Sequence, residues 1–301
     1  EFFNFSFLKN LKKIKLLIDI VKFNYLAKNF KNKESIGKWL KTYNFSNLFI
    51  ESYLLPMTSA IWSSTSKGIA KYPAESLNGF LNNHGLLNLY DRPQWYSVLG
   101  GSNTYVEKLL DLKIFDVKLN SKVKINRSDN KIFISNKGKS EEYDLLIMAN
   151  HPNQIEECLE DLSEKEKQAT DSIKYQKNLT ILHGDESLMP KDKNQWCSWN
   201  VYKDENYEYV TYWMNNLQKI NTSKNIFVTL GNFPKPNLIF NEMEYEHPIF
   251  DFKALMGQKK FKEIQSEKNT YFTGAYLGYG FHEDGIKSSQ AICKLINSRD
   301  I

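Results

Sequence analysis

The sequence predicts an α/β protein that an α+β insertion interrupts. The stretch 143–149 ends in a continuous apolar run, which is typical of a strand buried on both faces of a parallel sheet. The stretch 269–292 contains a β-type run, a glycine-rich loop and an amphipathic segment, so it predicts a strand, a tight loop and a helix. Between them, residues 178–230 contain several β-type runs. We therefore expect a sheet domain whose pieces are separated along the chain.

The first 60 residues predict helices. Residues 5–30 have a helical period, with lysines among the apolar positions. The apolar stripe consists of Phe7, Leu11, Ile14, Ile18, Val21 and Tyr25. Such a basic amphipathic helix can lie on an anionic membrane, but the simpler interpretation is that the stripe packs on the core of its own domain. Ser35 and Ser46 are suited to begin two further helices, and the second of these should stop at Pro56.

The middle of the chain predicts seven strands and two helices. The predicted strands, besides 143–149, are 121–125, 131–135, 178–183, 195–202, 209–214 and 225–230. The predicted helices are 104–110 and the charge-rich stretch 155–169, which should be exposed. The later strands are rich in Trp and Tyr, so we expect them to form a core or the wall of a cavity.

The composition excludes several classes of protein. Apolar residues make up 41% and charged residues 25% of a 301-residue chain, as in ordinary globular proteins with one or two domains. The net charge of +5 is spread over many lysines, which argues against a nucleic-acid partner. No run approaches the roughly 20 apolar residues that a membrane span needs. Three widely spaced cysteines favour a reducing compartment, so we expect a cytoplasmic location.

The loop 274–285 is the segment with the most chemical interest. Glycine has no Cβ, so a glycine loop before a helix lets backbone N–H groups approach an anion. Glu283 and Asp284 fall in the expected first turn, where carboxylates favour the helix dipole or can bind a polyol. The histidines show no His-x-x-x-His or His-Glu-x-x-His spacing, so we expect no metal site. Gly-x-Ser-x-Gly is also absent, which argues against a serine hydrolase.

Five sequence blocks carry a family resemblance. They are Pro-Met-x-x-Ala-Ile-Trp-Ser at 56–63, Asn-His-Gly-Leu-Leu at 83–87, Asp-Arg-Pro-Gln-Trp at 91–95, Tyr-Glu-His-Pro at 245–248 and Gly-Ala-Tyr-Leu-Gly-Tyr-Gly-Phe-His-Glu-Asp-Gly at 274–285. The last block resembles the C-terminal flavin motif of the FAD-dependent amine oxidase and protoporphyrinogen oxidase superfamily. Together, the blocks resemble a bacterial branch of NAD/FAD-binding oxidoreductases associated with cyclopropane-fatty-acyl-phospholipid synthases.

The resemblance implies an incomplete FAD-binding Rossmann-like domain and a substrate domain of helices on an antiparallel sheet. Residues 98–154 and 251–301 would belong to the FAD-binding domain, and residues 1–97 and 155–250 to the substrate domain. Flavoproteins of this superfamily begin with a Gly-x-Gly-x-x-Gly fingerprint, which these 301 residues lack. We therefore expect a chain that starts after the fingerprint, and that binds FAD weakly and is inactive alone.

The resemblance also implies a set of site residues. The cofactor-binding residues would be Val123, whose main chain would meet the adenine, and Gly274, Gly280, Glu283, Asp284, Gly285 and Ile286. His282 is the candidate catalytic residue, and it could be an acid or base beside the flavin or could only hold the loop. The amine oxidases often have a tyrosine at the position of His282 and a lysine at the position that we align with Asn178. Both departures argue against an amine substrate.

The function implied is that of an FAD-dependent oxidoreductase that transfers a hydride from an apolar substrate to flavin. The substrate class would be a fatty-acyl lipid, and the enzyme a dehydrogenase, desaturase or isomerase. Two alternatives stay open: a true amine oxidase, and a non-catalytic lipid-binding protein that kept the fold and lies on a membrane surface. The second would contact the inner face of the membrane through residues 5–30. The sequence leaves the oligomeric state open.

Overall fold

The computed structural model describes residues 11–30, 33–128 and 130–298. Residues 5–10 of the predicted first helix lie outside these ranges. The chain divides into two compact units, each made from two segments. The first unit comprises Glu1–Lys113 and Lys177–His247, and the second unit comprises Ile114–Gln176 and Pro248–Ile301. The division of the chain into four domain segments with bounds at 97, 154 and 250 stays a prediction.

In the described part of the chain, seven α-helices precede the first strand, and groups of strands alternate with helices after it. The α-helices are α1 Leu11–Lys28, α2 Ile36–Thr42, α3 Asn47–Phe49, α4 Leu55–Trp62, α5 Ser66–Ile69, α6 Ala74–Asn83, α7 Asn103–Asp111, α8 Pro152–Cys158, α9 Glu164–Ser172, α10 Met214–Leu217, α11 Phe252–Glu263 and α12 His282–Asn297. The strands are β1 Lys124–Ser128, β2 Lys131–Asn136, β3 Lys139–Tyr143, β4 Leu146–Met148, β5 Tyr175–His183, β6 Trp199–Lys203, β7 Glu208–Trp213, β8 Phe227–Asn232, β9 Ile239–Pro248 and β10 Thr270–Phe272.

Helix α1 packs on its unit through the face opposite to the predicted stripe. Its buried face carries Phe23, whose ring centroid lies 5.2 Å from that of Trp39 and 5.4 Å from that of Phe49. Aromatic side chains bury a large apolar area, so this aromatic cluster determines which face turns inward. The stripe residues Ile18, Val21 and Tyr25 are 60%, 51% and 71% exposed. The expectation that the stripe packs on its own core is therefore wrong for these three residues.

The two predicted serine caps are confirmed, but the predicted stop at Pro56 is wrong. Ser35 Oγ accepts from the Lys38 N–H, and Ser46 Oγ accepts from the Phe49 N–H. The helical path then continues past Pro56 as far as Trp62. A π-helical turn at Ile50–Leu54 precedes the proline, and its wider backbone avoids the clash that proline causes inside a regular α-helix.

The first unit contains an antiparallel sheet with the strand order β6-β7-β8-β5-β9. Thr211 of β7 lies opposite Thr229 of β8, and Ile181 of β5 lies opposite Thr229 from the other side. Strand β6 begins at Trp199, later than predicted, because Asp192 Oδ1 accepts from the Asn194 N–H and closes a 3-10 turn instead. Strand β9 was not predicted, since most of its residues are exposed and polar.

The second unit contains a parallel strand pair and an antiparallel meander. Strand β10 runs parallel to β4, and β1, β2 and β3 follow one another in an antiparallel sheet. The buried core comprises Ile125, Ile132, Leu146, Met148, Ile155, Leu159, Ala169, Ile173, Ala254, Phe261, Ile264, Phe272 and Tyr276. The single helix predicted for 155–169 is two helices, because Leu159 leaves the helix to bridge Ile125 and Ser163 caps a new one.

A buried guanidinium ties this core together. Arg127 on β1 donates from Nε to Asp161 at 3.0 Å, and from its terminal nitrogens to Glu166 at 2.6 and 2.8 Å. It also donates to Thr270 Oγ1 of β10 at 3.1 Å. Burial lowers the pKa of Arg127, but the hydrogen bonds to the two carboxylates outweigh this and raise it. The predicted fold class, an α/β protein with an antiparallel insertion and an incomplete Rossmann-like part, is confirmed.

Candidate functional site

The candidate site is the turn that connects β10 to α12 in the second unit. Strand β10 is fully buried and is bonded on one edge to β4. On its other edge, the side-chain amide of Gln265 donates to the Phe272 carbonyl and accepts from the Phe272 N–H, both at 2.9 Å. The amide thus replaces a neighbouring strand and holds the end of β10 in place.

Three hydroxyl groups join this strand end to the first turns of α12. Thr273 Oγ1 lies 2.8 Å from Ser288 Oγ and 3.0 Å from Ser289 Oγ. Both serines donate to the Gly285 carbonyl, and Ser288 Oγ also accepts from the Gly274 N–H at 3.1 Å. We call Thr273, Ser288 and Ser289 the hydroxyl clamp. The clamp sets the distance between Gly274, which begins the turn, and the start of α12. We call the segment from Gly274 to Gly280 the glycine turn.

Gln258 of α11 holds the turn from the other side. Its Nε2 donates to the Tyr276 carbonyl at 2.9 Å and to the Gly278 carbonyl at 2.7 Å. The Tyr276 carbonyl belongs to a 3-10 turn, Ala275–Leu277, which Gly278 ends, and the Tyr276 ring is buried against Phe261. Burial raises the pKa of the Tyr276 phenol, which therefore stays neutral and serves the core. The turn is thus fixed by side chains from separate elements.

Gly274 and Gly280 are required by the backbone of the turn itself. Their φ angles are +154° and +94°, in the range that favours glycine. A Cβ on Gly274 would lie 2.5 Å from Tyr276 Cε1, and one on Gly280 would lie 3.0 Å from Phe250 Cε2. Both glycines are therefore explained by the folding of the chain.

Gly285 has a different environment. It lies in the first turn of α12 with helical backbone geometry, and a Cβ built there would meet only the Ala275 nitrogen, at 3.8 Å. Among the residues that the structure describes, nothing in the packing or the backbone at this position requires glycine. The site thus contains an open space beside the backbone at a helix start, where backbone N–H groups and the helix dipole favour an anion or a hydrogen-bond acceptor.

The remaining predicted residues of the loop have separate surroundings. Asp284 accepts from the Phe281 N–H at 3.0 Å, so its carboxylate caps the helix. Glu283 is exposed and lies 3.5 Å from Lys287, and Ile286 is 57% exposed. His282 is the first residue of α12 and is exposed. The structure thus brings His282, Glu283, Gly285 and Ile286 together at one helix start.

Val123 lies in the same unit, just before the meander. It packs on the core that also contains Met148, Phe272 and Tyr276, so one apolar core supports both Val123 and the turn. It also lines an open cleft of about 790 Å³ together with Ile134 and Tyr143. The adenine contact assigned to Val123 stays a prediction.

Sequence inspection missed the residues that fix the turn. Gln258, Gln265 and the hydroxyl clamp act across 7 to 20 positions, and no local motif marks them. In the first unit, sequence inspection singled out Asn178 and the block containing His247 separately, and the structure pairs them: Asn178 Nδ2 lies 3.0 Å from His247 Nδ1. The antiparallel neighbours β5 and β9 bring them together, which spacing along the chain does not reveal.

No protein-family model and no curated protein matches the chain. Solved structures do match. The chain superposes on a CLA-producing fatty acid isomerase from P. acnes with a TM-score of 0.64 at 13% identity, over 94% of this chain and 75% of that one. It superposes on a double mutant of putrescine oxidase with a TM-score of 0.64 at 12% identity, over 95% of this chain and 76% of that one.

A third structure has the same relationship to the chain. Cyclohexylamine oxidase from Brevibacterium oxydans IH-35A gives a TM-score of 0.62 at 11% identity, over 94% of this chain and 75% of that one. At these identities the likeness establishes the fold. The chain therefore has the fold that these amine oxidases and the fatty acid isomerase share, which is the fold that the sequence resemblance implies.

Proposed function

We propose that the chain belongs to an FAD-dependent oxidoreductase whose flavin lies against the start of α12 and whose substrate is apolar. The observation that carries this proposal is the open space at Gly285. Gly274 and Gly280 are required by the turn, whereas Gly285 is required by no described neighbour. A Cβ at this helix start would project into open space. The glycine therefore leaves room for a bound group to approach the backbone.

The residues present fit FAD at this position. The helix start offers backbone N–H groups, and the exposed carboxylate of Glu283 can accept hydrogen bonds from a polyol such as the ribityl chain. Ile286 offers an exposed apolar surface in the same turn. When bound, FAD supplies a hydride acceptor, and the protein orients the substrate and excludes water. The hydroxyl clamp, Gln258 and Gln265 would keep the backbone fixed while the group binds.

An apolar substrate is favoured over an amine. One of the matching structures is a fatty acid isomerase, and two are amine oxidases. The chain has Asn178 and His282 where the sequence resemblance leads us to expect a lysine and a tyrosine in an amine oxidase. Loss of both residues argues against amine chemistry, and therefore we rank a fatty-acyl substrate first. Amine oxidation remains the second candidate, because two matching structures have that activity in their names.

His282 is the residue that we propose for proton transfer. It is exposed at the first position of α12, three residues before Gly285, and imidazole can donate or accept a proton near neutral pH. A purely structural histidine at this place would instead hold the loop. Replacement by alanine distinguishes the two: an acid or base is needed for turnover, whereas a loop anchor is needed for retention of the cofactor.

The absorbance spectrum of the purified full-length protein tests the proposed function. We expect an oxidised flavin spectrum, which disappears under anaerobic conditions when a fatty acid is added and does not change with a primary amine. In the His282→Ala variant we expect the flavin to be retained and its reduction to be slow. A protein that is colourless and does not take up added FAD would contradict the proposal, and reduction by the amine alone would favour the second candidate.

A further inference from the structure

The outward face of α1 is an apolar surface that no described residue of the first unit covers. Ile18, Val21 and Tyr25 project from it and are each more than half exposed. Leu17 joins them along a shallow groove of about 540 Å³. We propose that this face lies on the surface of an anionic lipid bilayer. The proposal goes beyond the flavin function and does not depend on it.

The inward face of α1 is anchored independently of this surface. The buried Asp19 accepts from the Ser46 N–H at 3.1 Å, and Phe23 packs against Trp39 and Phe49. These contacts hold the helix through the side opposite to Val21, so the outward residues are not needed for its packing. A contiguous group of exposed apolar side chains, unlike a single one, is typical of a surface that binds a partner or a membrane.

Lysines border the apolar face on both sides. At 3.6 residues per turn, Ile18, Val21 and Tyr25 form one stripe, with Lys15 and Lys22 along one edge and Lys28 along the other. Lys22 Nζ lies 4.8 Å above the Phe45 ring, and Lys28 Nζ donates to Asn88 Oδ1 at 2.9 Å. These contacts hold the two ammonium groups beside the stripe. An apolar stripe between two basic edges is the arrangement of a helix that lies in the interface of an anionic membrane.

The apolar surface continues beyond the helix. A second groove, of about 340 Å³, shares Val21 and Tyr25 with the first and is also lined by Leu89 and Tyr90. Both of these residues are exposed. Tyrosine has an apolar ring and a polar tip, so it suits the boundary between acyl chains and headgroups. Asp91 is the acidic residue in the lining of this groove, and Lys28 is the basic one.

The charge pattern favours a bilayer over a second copy of the chain. In a symmetric pair formed through this face, the lysine edges of the two helices would approach each other and repel. An anionic bilayer presents the opposite charge along both edges at once. The contact would be peripheral, since no helix in the described parts of the chain is long and apolar enough to cross a membrane.

Vesicle sedimentation tests the proposal with the full chain. We expect binding to vesicles of equal parts phosphatidylglycerol and phosphatidylcholine, weaker binding as salt rises, and little binding to phosphatidylcholine alone. The Ile18→Ser/Val21→Ser/Tyr25→Ser variant should bind the mixed vesicles about tenfold or more less tightly, because the inserted side chains are gone. The matched control is Val106→Ser/Leu109→Ser/Leu110→Ser on α7, which removes three exposed apolar residues elsewhere in the same unit and should bind as the unchanged protein does.

If the triple serine variant does not fold, a second variant that changes only the charge beside the stripe tests the same proposal. Lys15→Glu/Lys28→Glu changes two exposed residues, one on each edge of the stripe, and should reduce binding to the mixed vesicles about tenfold or more while the helix content is unchanged. Three results would overturn the proposal. They are no sedimentation with mixed vesicles, equal sedimentation with both kinds of vesicle, and a dimer in solution that the triple serine variant converts to a monomer.

Discussion

Two buried polar centres, one in each unit, are built in opposite ways. In the second unit, the Arg127 guanidinium is buried and donates to Asp161, Glu166 and Thr270. In the first unit, Asn78 on α6 is buried as well, but neither atom of its side-chain amide has a hydrogen-bond partner among the residues described. A buried group whose hydrogen bonds are complete stabilises the fold, whereas one without partners costs free energy.

The difference shows where the fold uses polar residues to define geometry. The Arg127 centre joins β1, the start of α9 and β10, and β10 leads directly into the candidate site. The hydroxyl clamp continues the same pattern into α12. Asn78 joins no elements by hydrogen bonds. We therefore expect the replacement of polar residues near the turn between β10 and α12 to be costly and an apolar substitution at Asn78 to be tolerated.

The largest effect is expected for Arg127→Met. Removing the guanidinium leaves Glu166 buried with its charge uncompensated, so we expect a loss of about 3–5 kcal/mol in the free energy of unfolding. Denaturant titration measures this loss. The control is Lys131→Met, which removes a lysine that makes exposed ion pairs with Glu142 and Asp144, and it should change stability far less. Equal effects of the two variants would show that the buried network is not what ties the strands together.

A buried histidine sharpens the comparison, because its ring nitrogens are hydrogen-bonded to a hydroxyl group and a backbone N–H instead of to carboxylates. His183 accepts at Nδ1 from the Asp185 N–H at 3.2 Å, so its Nε2–H donates to Thr229 Oγ1 at 2.8 Å. Burial lowers the pKa of His183 in the folded chain. Below the ordinary histidine value of about 6.5 the unfolded chain binds the proton first, so stability should fall by about 1.4 kcal/mol per pH unit as the pH falls, until the folded pKa is reached.

Denaturant titration between neutral and mildly acidic pH measures this slope. His183→Gln should lose it, because glutamine does not titrate. The control, His282→Gln, changes an exposed histidine and should keep the slope. If His183→Gln has the same pH dependence as the unchanged protein, the slope does not arise from the buried imidazole.

A smaller effect is expected at the hydroxyl clamp, where two adjacent serines form a matched pair. Ser288 and Ser289 both contact Thr273 and the Gly285 carbonyl, but Ser288 alone of the two accepts from the Gly274 N–H. We expect Ser288→Ala to cost about 1–2 kcal/mol more than Ser289→Ala, because it leaves that N–H without its partner. Thermal and denaturant unfolding measure the difference. Identical losses would mean that Ser288 does not hold the glycine turn.

The smallest change is expected for Asn78→Leu. Leucine is a better helix former than asparagine and removes two polar atoms that have no partner, so the free energy of unfolding should stay within about 1 kcal/mol or rise. Asn82→Leu, at an exposed position on the same helix, reports the helix propensity alone. A loss above about 2 kcal/mol at Asn78 with no loss at Asn82 would show that the buried amide has a partner that stabilises it.

Local patterns predicted the fold class and several helix starts. The side chains of Ser35 and Ser46 cap the helices that follow them, and the apolar run before Ala149 is a strand of the parallel pair. These features depend on residues a few positions apart along the chain, so a local sequence pattern is sufficient to predict them. The orientation of α1 depended instead on the aromatic residues that Phe23 meets, and those come from other helices.

Local patterns also predicted the loop and the helix that form the candidate site, but not the different environments of its glycines. The glycine loop and the start of α12 are local, and the sequence indicated both. The sequence did not distinguish Gly274 and Gly280, which the turn requires, from Gly285, which no described neighbour requires. That distinction depends on Tyr276 and Phe250, whose positions follow from the tertiary packing.

The central claim is that a flavin lies against Gly285, and the Gly285→Val variant of the full-length protein tests it most directly. A Cβ there would make only an ordinary contact, 3.8 Å from the Ala275 nitrogen, so the variant should fold with a stability within about 1 kcal/mol of the original, as Gln290→Val on the same helix should. We predict that Gly285→Val purifies without flavin whereas Gln290→Val keeps it. A folded Gly285→Val protein with a full complement of flavin would contradict the account.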